Sequence, residues 1–258
     1  MICTKVSFKS ATLKLHTQVN VLIPNCEPPK NGFPVLYLLH GLSDNQDCWT
    51  RFSSIERYAE AYNIAVIMPD VNRSFYADMK RGNNYWTFIS EELVSKMKQI
   101  FKLSDRREDT YAAGLSMGGY GAFKLALNFP DRFCAAGSFS GALGVELAGE
   151  FKEHEAFEDE FECIFGSVEE AAKNNCNLVD IVKNIKQPHE YPRLFQTCGT
   201  EDYLYSDNLV FKIAAKNSGL DLTYHEWEGS HTWDFWDKSA EMFLKFIAEG
   251  APFVSHLK

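Results

Sequence analysis

The sequence predicts an α/β fold: a mostly parallel central sheet with helices on both faces. Short, continuous apolar runs such as PVLYLLHG (Pro34 to Gly41) and IAVIMPD (Ile64 to Asp70) carry the pattern of strands buried on both faces. Such runs alternate with segments of helical spacing, as parallel sheets with crossover helices require. No linker and no internal repeat divides the 258 residues, so one domain is expected over 1–258.

The elements follow in order. TLKLHTQVNVLIP (Thr12 to Pro24) alternates and is rich in β-branched residues, a strand joined by short turns and antiparallel to the rest. Pro28, Pro29, Asn31 and Gly32 mark a turn before the buried strand PVLYLLHG. SSIERYAEAYN has helical spacing and leads to the strand IAVIMPD, and YWTFISEELVSKMKQIF (Tyr85 to Phe101) is an amphipathic helix. The alternation then repeats: the strand DTYAAGLS, the helix GGYGAFKLALNF stopped by Pro130, and the strand CAAGSFSG. From Ala142 to Gln187 the rhythm breaks, which predicts an insertion over the strand ends that forms a lid or pocket wall. The strand RLFQTCG, a helix near Leu209 to Lys216, the strand LTYHEWEG and a helix from about Trp236 to Ala248 close the chain.

Composition narrows the function. A net charge of −9 disfavours phosphate backbones, so no nucleic-acid partner is expected. The acidic run EFKEHEAFEDEFE from Glu150 reads as a solvated helix face. Seven scattered cysteines without a C-x-x-C pair support neither a zinc ribbon nor a redox dithiol. No apolar stretch approaches a membrane span and the first residues carry no apolar signal core, so a reduced, cytoplasmic protein is expected. A homo-oligomer is compatible with the sequence.

Function in a parallel α/β sheet gathers at the carboxyl ends of the strands. There, Gly114, Ser116 and Gly118 spell G-x-S-x-G between a strand and a helix, the context in which a serine becomes a nucleophile on a sharp turn. The glycines relieve crowding, and the helix N-terminus favours developing negative charge. The plainer reading, a serine N-cap followed by glycines, is answered by what else falls at the strand ends.

A serine hydroxyl needs a base. Of seven histidines, His16, His154, His189 and His256 lie in an early strand, the insertion or the tail. His40 closes a buried strand and His225 sits inside another, whereas His231 follows the last strand in EGSHTW, where an imidazole can face Ser116. The orienting acid belongs between nucleophile and base in chain order, and CGTEDYLYSDN offers Glu201, Asp202 and Asp207. Asp202 lies just past the strand end and is the candidate, with Glu201 pointing away and Asp207 serving the next helix as cap or dipole partner. Oxyanion donors are expected from the backbone N–H of Met117 and of Leu42, whose turn Gly41 permits.

VLYLLHGLSDNQDCW, RSFYADMKRGNNYW, GLSMGGYGAFKLAL, FSGAL, CGTEDYLY and EGSHTWDFWD together resemble the esterase D-like branch of the α/β-hydrolases, and within it bacterial tributyrin esterases. The resemblance runs from about Val35 to Asp237. It implies hydrolysis of small, short-chain acyl esters without metal or organic cofactor, with Ser116, Asp202 and His231 as the triad and Leu42 and Met117 as oxyanion donors. Related members include S-formylglutathione hydrolases, feruloyl and acetylxylan esterases and mycolyl transferases. An anionic tripeptide substrate would call on Arg73, Lys80 or Arg81, and Trp49, Phe75, Tyr76, Trp86 and Trp233 are candidates for the walls of an acyl pocket. The reading from a different class is a non-catalytic binding protein on a hydrolase scaffold, against which the intact constellation argues.

Overall fold

Along each central strand the apolar side chains alternate between two faces, and a separate core covers each face. The computed structural model describes residues 1–144 and 155–249. Among the described residues, eight strands form one sheet in the order β1-β2-β4-β3-β5-β6-β7-β8. They are β1 (Ile2–Lys9), β2 (His16–Ile23), β3 (Val35–Leu39), β4 (Ala65–Pro69), β5 (Thr110–Leu115), β6 (Ala135–Phe139), β7 (Arg193–Gly199) and β8 (Leu222–Trp227). β1 pairs antiparallel with β2 and β2 with β4, and every later pairing is parallel. The expected mostly parallel sheet with an antiparallel start is therefore what the chain builds.

On one face, Val35, Tyr37, Ile67, Ala112 and Ala136 pack beneath α3 (Tyr85–Thr87), α4 (Leu93–Ile100), α5 (Met117–Asn128), α8 (Leu178–Lys183) and α9 (Tyr205–Ser218), helices numbered in chain order. On the other, Leu36, Leu38, Val66, Tyr111 and Ala113 meet α1 (Cys48–Phe52), α2 (Ile55–Tyr62) and α10 (Trp233–Glu249). Helix α5 is buried at every position from Met117 to Leu127, because it crosses the sheet centre under later helices. A π-helical turn at Phe88–Glu92 joins α3 to α4, a local change that hydrophobic periodicity does not register.

The irregular segment expected at 142–187 carries α6 (Glu155–Phe165) and α7 (Val168–Lys173) as well as α8, and residues 145–154 of it lie outside the described residues. Its helices are fastened to the loop after β4. Lys80 and Arg81 donate their backbone N–H groups to the carbonyls of Ile164 and Cys163. Arg73 makes a two-pronged bond to Glu160 at 2.6 and 2.7 Å, Lys80 meets Glu170 at 2.6 Å, and Arg81 meets Glu162 at 2.9 Å. Two members of the acidic run are thus ion-pair partners, a correction to its reading as a purely solvated face.

Candidate active site

Ser116 stands between β5 and α5 with φ 52° and ψ −119°, in a backbone region that a non-glycine residue occupies only under constraint. The constraint is visible. Its N–H donates to Phe139 O on β6 at 2.9 Å, and its carbonyl accepts from the N–H groups of Tyr120 and Ala142. The flanking glycines are required for space. A Cβ on Gly114 would stand 2.5 Å from the Gly118 carbonyl carbon, and one on Gly118 would stand 2.3 Å from Leu39 O. Holding such a residue costs on the order of 1–3 kcal/mol, which the surrounding hydrogen bonds and packing offset.

His231 lies on the loop after β8, just before α10. The Ser116 hydroxyl is 3.0 Å from its Nε2, and its Nδ1 is 3.0 and 3.1 Å from the two carboxylate oxygens of Asp202. An ionised carboxylate can only accept, so Nδ1 carries the proton and donates it, leaving the Nε2 lone pair to face the hydroxyl. The imidazole is held between Tyr203, at 4.6 Å between ring centroids, and Trp236, edge-on at 4.8 Å. Asp202 is 5% exposed, and its Oδ1 accepts the Leu204 N–H at 2.9 Å. Burial pushes the Asp202 carboxyl up, but the hydrogen bond and charge of His231, the Leu204 N–H and the nearby Ser140 hydroxyl outweigh it and hold the group below the ordinary carboxylate value.

The other candidates lie elsewhere. Glu201 is exposed. Asp207 is in the first turn of α9, whose N-cap is Leu204, so it is not the cap residue and sits at the positive end of the helix. Its carboxylate leaves no room for a side chain at Gly144, where a Cβ would come 2.3 Å from Oδ2. His225 is exposed in mid-strand with its ring 5.5 Å from that of Phe195. His40 is buried: the Val71 N–H donates to its Nε2 at 3.1 Å, so its Nδ1–H donates to Gly41 O at 2.7 Å.

The loop after β3 comes directly against the serine. A Cβ on Gly41 would lie 2.6 Å from Leu115 Cδ1 and 3.8 Å from Ser116 Cβ. A side chain at Gly41 would thus displace the end of Leu115; its φ does not lie in the left-handed range, so the glycine is explained by packing and not by its turn. Leu42 follows it on this loop. Met117 opens α5, so its N–H is among the first of a helix, which have no partner within the helix. The loop is propped from behind, where the Tyr76 hydroxyl donates to His40 O at 2.9 Å.

Several expected pocket residues have other work. Trp49 is 1% exposed, donates Nε1–H to Leu39 O at 3.0 Å and packs on Trp233 and Phe139, so it belongs to the core. Trp86 stacks on Phe129. Phe75 packs edge-on against Tyr120 of α5 and Phe165 of α6, bridging α5 to the insertion. Arg73, Lys80 and Arg81 each face a glutamate, as described above. Sequence reading missed Tyr203, Trp236 and Ser140 around the histidine and acid. The aromatic residues flanking Asp202 and His231 were the available signal for the first two. Among the described residues, no three His, Cys, Asp or Glu side chains come together as a metal would require, and no helix is long and apolar enough to cross a membrane.

A serine–histidine–aspartate constellation at the strand ends of this sheet defines an α/β-hydrolase. The chain belongs to the Esterase family ("Putative esterase"), which matches residues 10–241, and it is an esterase D-like carboxylic ester hydrolase. It is similar to an acetyl esterase of Caldicellulosiruptor saccharolyticus, with 30% identity over 92% of this chain and 95% of the relative. Among solved structures it is similar to the fluorophosphonate-binding serine hydrolase F of Staphylococcus aureus, with TM-score 0.86 and 29% identity over 95% of this chain and 98% of that one. An S-formylglutathione hydrolase of the same organism gives TM-score 0.81 and 31% identity over the same shares.

Proposed function

We propose that the protein is a serine carboxylesterase for small, short-chain acyl esters, with Ser116 as nucleophile, His231 as general base and Asp202 as the acid that orients it. The observation that carries the proposal is the unbroken chain of contacts from the Ser116 hydroxyl through both nitrogens of His231 to Asp202. His231 takes the hydroxyl proton as Ser116 Oγ attacks the ester carbonyl. The backbone N–H groups of Leu42 and Met117 receive the developing oxyanion. Collapse of the tetrahedral intermediate releases the alcohol with the proton from His231. Water, deprotonated by the same imidazole, then frees the acid and the serine. Asp202 keeps Nδ1 protonated and stabilises the imidazolium during both attacks.

A small acyl group fits the acetyl esterase relative. The S-formylglutathione reading draws on a relative of similar identity, but the three cations it would call on are already neutralised by glutamates. We read the chain as one catalytic domain whose 142–187 segment walls the site, and its seven free cysteines fit a reducing cytoplasm.

The test is a series of p-nitrophenyl acyl esters beside S-formylglutathione and methyl ferulate, with a fluorophosphonate to label the nucleophile. Acetyl to butyryl esters should turn over fastest, and the adduct should map to Ser116. An adduct elsewhere, or preference for S-formylglutathione by an order of magnitude, overturns the reading.

A further inference from the structure

Lys124 interrupts the apolar run GAFKLAL of α5, and it is only 3% exposed. A buried ammonium ordinarily faces a carboxylate. The Lys124 Nζ instead donates to the Tyr76 carbonyl at 3.1 Å and lies 3.7 Å from the Cys176 sulfur. The Trp86 and Tyr120 ring centroids stand 4.5 and 5.7 Å from the nitrogen. Burial, the largest influence, lowers the lysine's pKa toward the neutral, nucleophilic amine, while Cys176 and the Asp78 carboxylate, which lines the same cavity, pull it the other way. Cys176 is 4% exposed, and its thiol also points at the Asn174 carbonyl, 3.6 Å away. Both side chains line a cavity of about 350 Å³, which also takes in Ala77, Trp86 and Asn175. That space admits a small oxidant to a thiol that bulky reagents do not reach. The catalytic mechanism uses neither residue.

We propose that Lys124 and Cys176 form a peroxide-responsive modification site, in which the oxidised thiol is captured by the neighbouring amine as a covalent sulfenamide. A hydroperoxide oxidises the thiol by two electrons to sulfenic acid and is itself reduced, hydrogen peroxide giving one water. The Nζ lone pair then attacks the sulfur, an S–N bond forms, the S–O bond breaks, and hydroxide leaves with a proton from the amine as a second water. The chain ends lighter by two hydrogen atoms. A small thiol reverses the link by attacking sulfur and expelling the amine; a second thiol then reduces the mixed disulfide.

The pair is also wired to the ester site. Tyr76, whose carbonyl Lys124 holds, follows Phe75 in a turn where both residues have left-handed φ, 50° and 46°. The hydroxyl of the same Tyr76 supports His40 O behind the Gly41–Leu42 loop. Drawing Nζ to sulfur takes the donor from that strained turn and loosens the support.

The test treats the intact enzyme with hydrogen peroxide, then unfolds it, alkylates free thiols and maps tryptic peptides. The expected product joins the Lys124 and Cys176 peptides, lacks cleavage after Lys124, and disappears on treatment with dithiothreitol. Cys176 that remains alkylatable, or that accumulates as sulfinic acid without the link, overturns the proposal. Lys124→Met should let the same dose carry Cys176 on to sulfinic acid. A crosslink to Lys80 or Lys173 in that variant overturns the assignment of the amine, and if the variant does not fold the wild-type map decides alone. Ester turnover should fall several-fold in proportion to the crosslinked fraction and return with dithiothreitol. Unchanged kcat/KM in fully crosslinked enzyme overturns the coupling to the ester site.

Discussion

The Tyr76 hydroxyl donates to the carbonyl of His40 at 2.9 Å, and this bond ties the loop after β4 to the loop that carries Gly41 and Leu42. The Tyr76 ring also lies flat against α5, where a Cβ on Gly121 would meet it at 2.5 Å. One side chain thus connects the helix behind Ser116 with the proposed oxyanion loop. A neutral buried hydrogen bond is worth about 1 kcal/mol net, and leaving its carbonyl unpaired costs about 1–3 kcal/mol. Tyr76→Phe keeps the ring and removes only the donor. It should lower kcat about five- to tenfold, with KM changed less, because an ill-placed N–H weakens transition-state binding more than substrate binding. Steady-state kinetics on a p-nitrophenyl ester, beside a thermal melt, measure this. A fall in KM affinity with kcat intact would show that the tether shapes substrate binding instead.

Ser116→Ala should abolish fluorophosphonate labelling and reduce turnover by several orders of magnitude. It should not destabilise the fold much, since the elbow is held by backbone bonds to Phe139, Tyr120 and Ala142 that alanine keeps. Intact mass after labelling and a melting curve test both halves. Retained labelling would remove Ser116 from the mechanism.

What the sequence discloses depends on whether the cause is local. Strands such as Val35–Leu39 and Ala65–Pro69 are legible because every residue is apolar and buried. Gly114 and Gly118 are legible because the turn around Ser116 needs them. β1 (Ile2–Lys9) was not delineated, since an edge strand with exposed lysines and serine has no strong apolar signal. Helix α9 begins at Tyr205, ahead of the expected Leu209, because Asp202 starts an Asx turn whose effect lies in its geometry and not in helix propensity. The pairing of Arg73 with Glu160 spans 87 residues and no local pattern announces it. The Tyr76–His40 and Lys124–Cys176 contacts are equally non-local. A lone lysine in an apolar helix was the trace that Lys124 left.

The ion pairs of the inserted helices lead to a prediction about specificity. Exposed pairs contribute about 0–1 kcal/mol each to stability, so Glu162→Gln alone should leave the melting temperature nearly unchanged. Their effect on charge selection should be larger. Replacing Glu160, Glu162 and Glu170 together with glutamine removes three counter-charges and leaves more of the positive charge of Arg73, Lys80 and Arg81 to attract an anionic ester. The ratio of kcat/KM for an anionic ester to that for a neutral one should rise several-fold at low salt and relax toward wild type as salt screens the charges. Competition between succinyl and butyryl esters of one alcohol measures the ratio. An unchanged ratio at low salt would place those cations outside the substrate's path.

Asp202 and Asp207 stand five residues apart and should fail in different ways. Asp202 holds His231 in the tautomer that presents Nε2 to Ser116. Asparagine in its place keeps the size and can still accept the Leu204 N–H, but it offers no charge and can stabilise the wrong tautomer. In a related triad this change costs about 10⁴ in kcat, and a similar loss is expected here at every pH above the carboxylate range. The stability effect has a definite sign. The folded-state pKa of Asp202 is depressed, so its ionised form contributes stability above the ordinary carboxylate pKa and loses it as the pH falls toward the folded value. The melting temperature of Asp202→Asn should therefore lie below wild type at neutral pH, and the gap should close in acid. Asp207 lies in the first turn of α9, where its charge meets the positive helix end, worth about 0.3–1 kcal/mol. Asp207→Asn should keep kcat within about twofold and lower the melting temperature by a few degrees at most. Kinetics and melts of both variants from neutral to acid pH separate the two roles. If Asp207→Asn is the inactive variant, the acid of the triad is Asp207, and the His231–Asp202 contact is structural.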